Sequence, residues 1–131
     1  MNSINGKISH TESEGSFQLI EVTAGTDKFK SIIIKNDAEH YQKGDDVILH
    51  FKETEVSLAS KKLPEISLQN QIEGKIIRLE KDLLLSRLEL DTVHGPLASI
   101  ITTASAERLD FVVGGQAVAL IKTTEVMLSK A

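Results

Sequence analysis

The chain has 131 residues, of which 40% are hydrophobic and 26% charged, with a net charge of −4 and no cysteine. The missing cysteines exclude disulfides and thiolate metal sites, and the negative charge argues against a nucleic-acid binder, which needs a basic surface. No apolar run approaches the length that crosses a bilayer and no basic-then-apolar segment opens the chain, so we expect a cytoplasmic protein without membrane contact.

The two halves of the sequence repeat the same landmarks. Residues 4–8 match 72–76 at a spacing of 68, and the spacing has become 70 where 51–58 matches 121–128. In both of the latter segments a strand-like apolar run ends at a lysine, and a polar turn precedes a second apolar run. Such self-similarity indicates a duplicated unit. We predict modules at 1–60 and 66–131, joined by a linker at 61–65.

Within each unit the pattern predicts short strands. Apolar and polar residues alternate over 28–33 and 84–91, as in half-buried strands, and 47–51 and 117–121 are continuous apolar runs. One helical turn is predicted in each unit, capped by Asp37 in the first and by Ser105 in the second. About five strands and one short helix per unit predict an all-β protein of two tandem OB-like five-stranded barrels.

Hydrogen-bond donors gather near strand ends in the second unit. The polar run 66–71 leads into its first strand, and Lys122 ends a strand that we predict to be buried. Hydroxyl groups follow two strands, at Thr102, Thr103, Ser105, Thr123 and Thr124. A helix beginning at Ser105 would offer backbone amides to an oxyanion, and Lys122 would offset part of its charge. Donors without an acid–base group predict binding rather than catalysis.

Each of these residues also has an ordinary structural explanation. Lysines that end strands are usually solvated, threonines favour strands for steric reasons, and Ser105 as a cap needs no ligand. Asn70 could equally make a turn. Only the arrangement of these residues within a duplicated unit favours a site.

Segments of the second unit resemble a known family. These segments are 67–76, 101–105 and 119–128, in that order. They are similar to the Mop domains of the molbindins, which are related to the TOBE domains of transport ATPases. The family pattern runs Ser-Ala-Arg-Asn-Gln, hydrophobic-x-Gly, Thr-x-x-Ser and Ile-Lys-x-x-x-Val-Met. The resemblance covers essentially the whole chain as a tandem, or di-Mop, protein.

This resemblance implies an OB-like barrel that binds molybdate, and commonly tungstate, between the subunits of a homo-oligomer, without an organic cofactor. We expect a trimer for a free-standing chain, with a dimer as the alternative. Two subunits would share the binding residues. One would contribute Ser67, Gln69, Asn70, Lys122 and Thr123, and its neighbour would contribute Thr102 and Ser105.

The sequence departs from the family pattern at several of these positions. Gln69 replaces the family arginine. In the first unit, Ile34 and Asp37 replace the threonine and serine, and a carboxylate beside a dianion costs about 1 kcal/mol or more. Lys52 remains in that unit, so we predict a weaker second site there.

Three functions stay open at this point. The favoured one is binding of molybdate or tungstate for storage and homeostasis. The alternative is an effector-sensing or regulatory module that acts with a separate DNA-binding or transporter ATPase partner, because this chain has no helix-turn-helix or nucleotide motif. An oligonucleotide-binding OB domain is disfavoured by the charge and by the scarcity of aromatic residues. We predict no enzyme, since the four histidines lack zinc-site spacing and no nucleophile motif occurs.

Overall fold

The computed structural model describes residues 1–36 and 39–131, which form two five-stranded antiparallel sheets. The strands of the first half are β1 (Asn2–Glu14), β2 (Phe17–Ala24), β3 (Asp27–Ile34), β4 (Asp46–Phe51) and β5 (Ser57–Ala59). Those of the second half are β6 (Asn70–Lys81), β7 (Leu85–Thr92), β8 (Gly95–Thr102), β9 (Gln116–Ile121) and β10 (Met127–Lys130). An α-helix, α1, spans Thr103–Arg108. Single 3₁₀ turns follow the two repeated lysines, and we name them the Lys52 turn (Glu53–Glu55) and the Lys122 turn (Thr123–Glu125).

The two halves of the chain exchange their last strands. The strand orders are β10-β4-β1-β2-β3 and β5-β9-β6-β7-β8. In the first sheet Leu128 of β10 lies opposite Leu49 of β4, and in the second Leu58 of β5 lies opposite Ala119 of β9. Each sheet curls until its end strands approach, β10 towards β3 and β5 towards β8. This is an open, OB-like barrel, so the predicted all-β class and the five-stranded OB-like barrels are confirmed.

The sequence repeat is also a repeat of backbone geometry. The β1–β2 register shifts after Ile8, and the β6–β7 register shifts after Ile76. Gly44 and Gly114 have φ values of 95° and 92°. They donate their N–H groups to the carbonyls of Ile8 and Ile76, at 2.8 and 2.7 Å. Positive φ values of this kind favour glycine, which explains why both units keep a glycine before the buried strand.

A continuous apolar core fills both barrels. Alternate residues of β7 point inward, with Leu88 and Leu90 buried and the intervening Arg87 and Glu89 partly exposed. One cluster of buried side chains contains residues from both sheets. Because apolar burial is the main favourable contribution to folding, the barrels stabilise each other.

Two asparagines join the barrels by matching hydrogen bonds. The Asn70 side chain accepts from the backbone N–H of Lys30 at 2.7 Å and donates to the carbonyl of Lys30 at 2.8 Å. The Asn2 side chain makes the same pair of bonds with Ala98, both at 2.8 Å. Both asparagines are buried. Since burial of an unpaired amide is costly, these bonds specify how β1 meets β8 and how β6 meets β3.

Two buried serines repeat this relationship. Ser31 donates its hydroxyl to the carbonyl of Val126, and Ser99 donates to that of Val56, each at 2.7 Å. Val126 and Val56 directly follow the Lys122 turn and the Lys52 turn. The Lys122 turn is therefore fixed to β3 of the first half of the chain, and the Lys52 turn to β8 of the second half.

Helix α1 begins earlier than the sequence predicted. Its N-cap is Thr102, whose hydroxyl oxygen accepts from the N–H of Ser105 at 3.1 Å. The prediction of Ser105 as the cap is therefore wrong, because a threonine three residues earlier is extended and takes that amide hydrogen. Of the helix expected in the first unit, Asp37 and Ala38 lie outside the described residues, and residues 39–41 are not helical. No helix in the described part of the chain is long and apolar enough to cross a membrane.

Candidate functional site

Lys122 and the polar loop before β6 lie at the same end of the second barrel. Asn70 is opposite Ile121 in the β6–β9 pairing. Continuing that antiparallel register by one residue places Gln69 opposite Lys122, and both side chains are exposed. Ser67 lies two residues earlier in the same exposed loop. The structure therefore places Lys122 and the segment that carries Ser67 and Gln69 at the same end of the β6–β9 strand pair.

The backbone around Lys122 is held by the turn that follows it. The Lys122 carbonyl accepts from the N–H of Glu125 at 2.9 Å, and Lys122 itself is extended with φ −68° and ψ 141°. Thr123 opens the turn and is partly exposed. Thr123 thus follows Lys122 directly in the chain, and both residues lie at the same end of the barrel.

Asn70 is buried between the two barrels, unlike the other predicted binding residues of its segment, which are exposed. It is 2% exposed, and its side-chain amide bonds to both backbone groups of Lys30. Its side chain is therefore engaged in the contact between the barrels. A direct role for Asn70 in ligand binding stays a prediction.

Thr102 and Ser105 lie in a different contact region of the molecule, where the Lys52 turn meets β8. The Thr102 hydroxyl donates to the Ser105 hydroxyl at 2.9 Å, and both residues border a surface groove with Thr54 and Arg108. The Lys52 turn packs against β8, which ends at Thr102, whereas the Lys122 turn packs against β3. Within one chain, Thr102 and Ser105 thus lie beside the Lys52 turn, whereas Lys122 lies in the other contact region, between its own turn and β3.

The amide of Ser105 is not available as an anion donor in the way the sequence suggested. Its N–H bonds to the Thr102 hydroxyl at 3.1 Å. The two hydroxyl groups of Thr102 and Ser105 remain at an exposed edge. Thr103, in contrast, is buried, and it donates to the carbonyl of Asp82 at 2.7 Å. It therefore has a structural role.

The environment of Lys52 differs from that of Lys122 in its charge. Glu53 stands after Lys52 where Thr123 stands after Lys122. The Glu53 carboxylate accepts from Arg87 Nε at 2.8 Å and from Arg87 Nη2 at 3.4 Å. The hydrogen bond from Arg87 lowers the pKa of Glu53 below its ordinary value and raises the pKa of Arg87. Position 53 therefore holds a carboxylate that is already paired with a guanidinium, where position 123 holds a hydroxyl that can donate to an anion.

Sequence reasoning assigned no role to Arg87 or to Gln71. Arg87 was visible only as an outward residue of an alternating strand, and its partner lies 34 positions away. Gln71 stood in the polar run before β6, and its side chain bonds to the backbone of Leu63 and Leu68. The one sequence feature that pointed to a role for Gln71 was its position at the end of a polar loop. Among the residues that the structure describes, no group of three or more His, Cys, Asp or Glu side chains could hold a metal ion.

Comparisons with known proteins give the class of this two-barrel chain. The TOBE domain family matches residues 66–128. Molybdenum-pterin-binding protein 1 of Clostridium pasteurianum is 36% identical over 64 residues, which are 48% of this chain and 94% of that protein. The probable molybdenum-pterin-binding protein of Haemophilus influenzae is 34% identical over 65 residues, 49% of this chain and 94% of its own length.

A solved structure has the same fold over the whole length. It is the molybdate-bound form of the cytoplasmic molybdate-binding protein ModG, with a TM-score of 0.92 and 20% identity over 99% of this chain and 96% of that chain. The fold is therefore that of a protein built from tandem TOBE-type modules. The chain belongs to the Mop family, the family of the molybdenum-pterin-binding proteins. The resemblance noted in the sequence is confirmed.

Proposed function

We propose that this chain binds molybdate in the cytoplasm, for storage and homeostasis, at a site built around Lys122. The curated relatives are molybdenum-pterin-binding proteins, and the structurally similar ModG is a cytoplasmic molybdate-binding protein. The observation that supports the proposal is the register of β6 with β9, in which Asn70 lies opposite Ile121, so that the segment leading into β6 and Lys122 both continue from the same end of this strand pair.

The proposed chemistry is capture of the anion without catalysis. A tetrahedral dianion loses its hydration shell on binding, and the site has to replace it with converging donors. Lys122 would supply a charge-assisted hydrogen bond, which is about twice as strong as a neutral one. Ser67 and Thr123 would add hydroxyl groups, and Gln69 its backbone amide. We propose molybdate or tungstate itself as the ligand, with no organic cofactor, because these donors suit a small oxyanion.

A second copy of the chain would complete the site. Thr102 and Ser105 of one copy would meet the Lys122 end of another, since within one chain they adjoin the Lys52 turn instead. We favour a trimer, with a dimer as the alternative. A ligand held between copies would stabilise the oligomer by linkage.

We propose that any site beside Lys52 is the weaker of the two. The Glu53 carboxylate, held by Arg87, is at the position of Thr123. The first unit therefore has a carboxylate engaged in an ion pair at a position where the second has a hydroxyl group.

Isothermal titration tests the proposal directly. Molybdate and tungstate should release or absorb heat and raise the melting temperature, while sulfate at the same ionic strength should do neither. Sedimentation with and without molybdate would report the oligomer. A chain that gives no heat and an unchanged melting temperature at millimolar molybdate does not have the proposed function.

A further inference from the structure

We propose that Gln71 is a positioning residue for the anion site and acts by holding the loop that carries Ser67. This inference rests on the proposed function. Gln71 lies on β6, opposite Leu120 of β9, and is half-buried. Its side chain leaves the strand and turns back over the loop that precedes it.

Three hydrogen bonds define this contact. The Gln71 side-chain oxygen accepts from the N–H of Leu63 at 2.9 Å. Its Nε2 donates to the carbonyl of Leu63 at 2.8 Å and to the carbonyl of Leu68 at 2.9 Å. Every group of the side-chain amide thus has a backbone partner, and only one orientation of the amide satisfies all three.

These bonds close the segment from Leu63 to Leu68 into a small loop. Pro64 and Glu65 form its turn, and Ile66 and Ser67 form a bend. Ser67 lies inside the closed segment, one residue before the carbonyl that Gln71 binds. The segment between β5 and β6 has no ladder hydrogen bonds of its own to fix this geometry.

Pre-ordering this loop would raise affinity for a ligand that Ser67 contacts. A free loop loses conformational entropy when it binds, and a loop that is already ordered avoids that cost. Gln71 would therefore contribute to binding without touching the anion. The first unit offers a comparison, because Ser3 stands at the position of Gln71 and is exposed.

The test compares Gln71→Met with the wild-type protein. Methionine keeps the length and the neutral charge but removes all three hydrogen bonds, so the anion's electrostatic environment does not change. We expect molybdate affinity, measured by titration calorimetry, to fall about 10- to 100-fold, as for other groups that orient direct ligands. Ser9→Ala is the control, since Ser9 also donates to a backbone carbonyl, that of Glu21 at 3.3 Å. It should change affinity less than about twofold, within the scatter expected for a site that is not coupled to the ligand.

A double-mutant cycle separates positioning from general structural support. If Gln71 acts through Ser67, then Ser67→Ala should cost much less affinity in the Gln71→Met background than in the wild type. Losses that multiply, or a Gln71→Met variant that binds like the wild type, would overturn the inference.

Hydrogen exchange of the ligand-free protein gives an independent readout. Amides of residues 63–69 should exchange faster in Gln71→Met and should be unaffected in Ser9→Ala. Unchanged exchange in the first variant would contradict the proposed contact. A wild-type chain that binds no molybdate would overturn the proposed function and this inference together, whereas exchange would still report whether Gln71 holds the loop.

Discussion

Arg87 Nε lies 2.8 Å from Glu53 Oε1, and this contact joins β7 of the second sheet to the turn that follows Lys52. The equivalent position after Lys122 is Thr123, which has no charge. The duplicated lysines are therefore followed by different groups, a carboxylate engaged in an ion pair after Lys52 and a hydroxyl after Lys122. This difference ranks the two candidate sites.

Lys122→Ala should remove most of the molybdate affinity. Hydrogen bonds to charged groups contribute about 1.5–3 kcal/mol, so we expect a loss of roughly 10- to 100-fold by titration calorimetry. Lys52→Ala is the matched control, at the same position of the repeat, and should cost less than about threefold because a carboxylate bound to Arg87 replaces the donating hydroxyl there. Equal losses in the two variants would contradict the ranking.

Glu53→Gln should destabilise the protein slightly at neutral pH. The ion pair with Arg87 is partly exposed, so we expect at most about 1 kcal/mol in the free energy of unfolding. The pKa of Glu53 is lower in the folded protein than its ordinary value of 4.5. Its stabilising contribution is therefore complete above that value and is lost as the pH falls through the folded-state pKa.

Chemical unfolding of Glu53→Gln and the wild type at a series of pH values measures this dependence. The difference in stability should shrink on acidification. A difference that grows at acidic pH would show that the ion pair is not its source.

Asn70→Ala should destabilise the junction between the barrels. The substitution leaves the N–H and the carbonyl of Lys30 without their partner, and each buried unsatisfied group costs about 1–3 kcal/mol. Asn2→Ala removes the matching pair of bonds to Ala98, so the two variants should lose similar stability in urea. A loss confined to one variant would mean that the two junctions are not energetically equivalent.

Tyr41 should ionise at unusually high pH. Burial, followed by the hydrogen bond to Glu39 at 2.8 Å, raises its pKa from 10.0 to about 12. The neutral phenol is favoured in the folded state, so the related stability is present below pH 10 and is lost as the pH rises through 12. Spectrophotometric titration is direct because the chain has one tyrosine.

Glu39→Gln is the companion variant for this titration. It removes the negative charge beside the phenol and should lower the pKa of Tyr41 towards its ordinary value. An unchanged titration would leave burial as the sole cause.

The local features of the fold were predictable because they depend on short patterns. The alternation of apolar and polar residues over 84–91 predicted β7, and the matching segments of the two halves predicted the duplication. The identity of the helix cap was missed because Thr102 and Ser105 are both good caps and only the backbone conformation decides between them. The placement of Lys122 beside the Ser67 loop depended on strand register, which follows from the repeat only after the pairing of β6 with β9 is known.

The long-range features could not be predicted from the same patterns. Residues 57–59 and 127–130 are both short strands after similar turns, and nothing in them tells which sheet each will join. The same holds for Arg87 and Glu53, whose contact exists only after the barrels dock. The division of the chain at 61–65 stays a prediction.

The exchange of β5 and β10 has a mechanical consequence. Each barrel borrows one strand from the opposite half of the chain, so the halves are interlocked by backbone hydrogen bonds. A protease that cuts the connecting segment would leave two fragments that stay together under native conditions and separate only in denaturant. We therefore expect the two barrels to move together, so that an anion would enter and leave without a hinge motion between them.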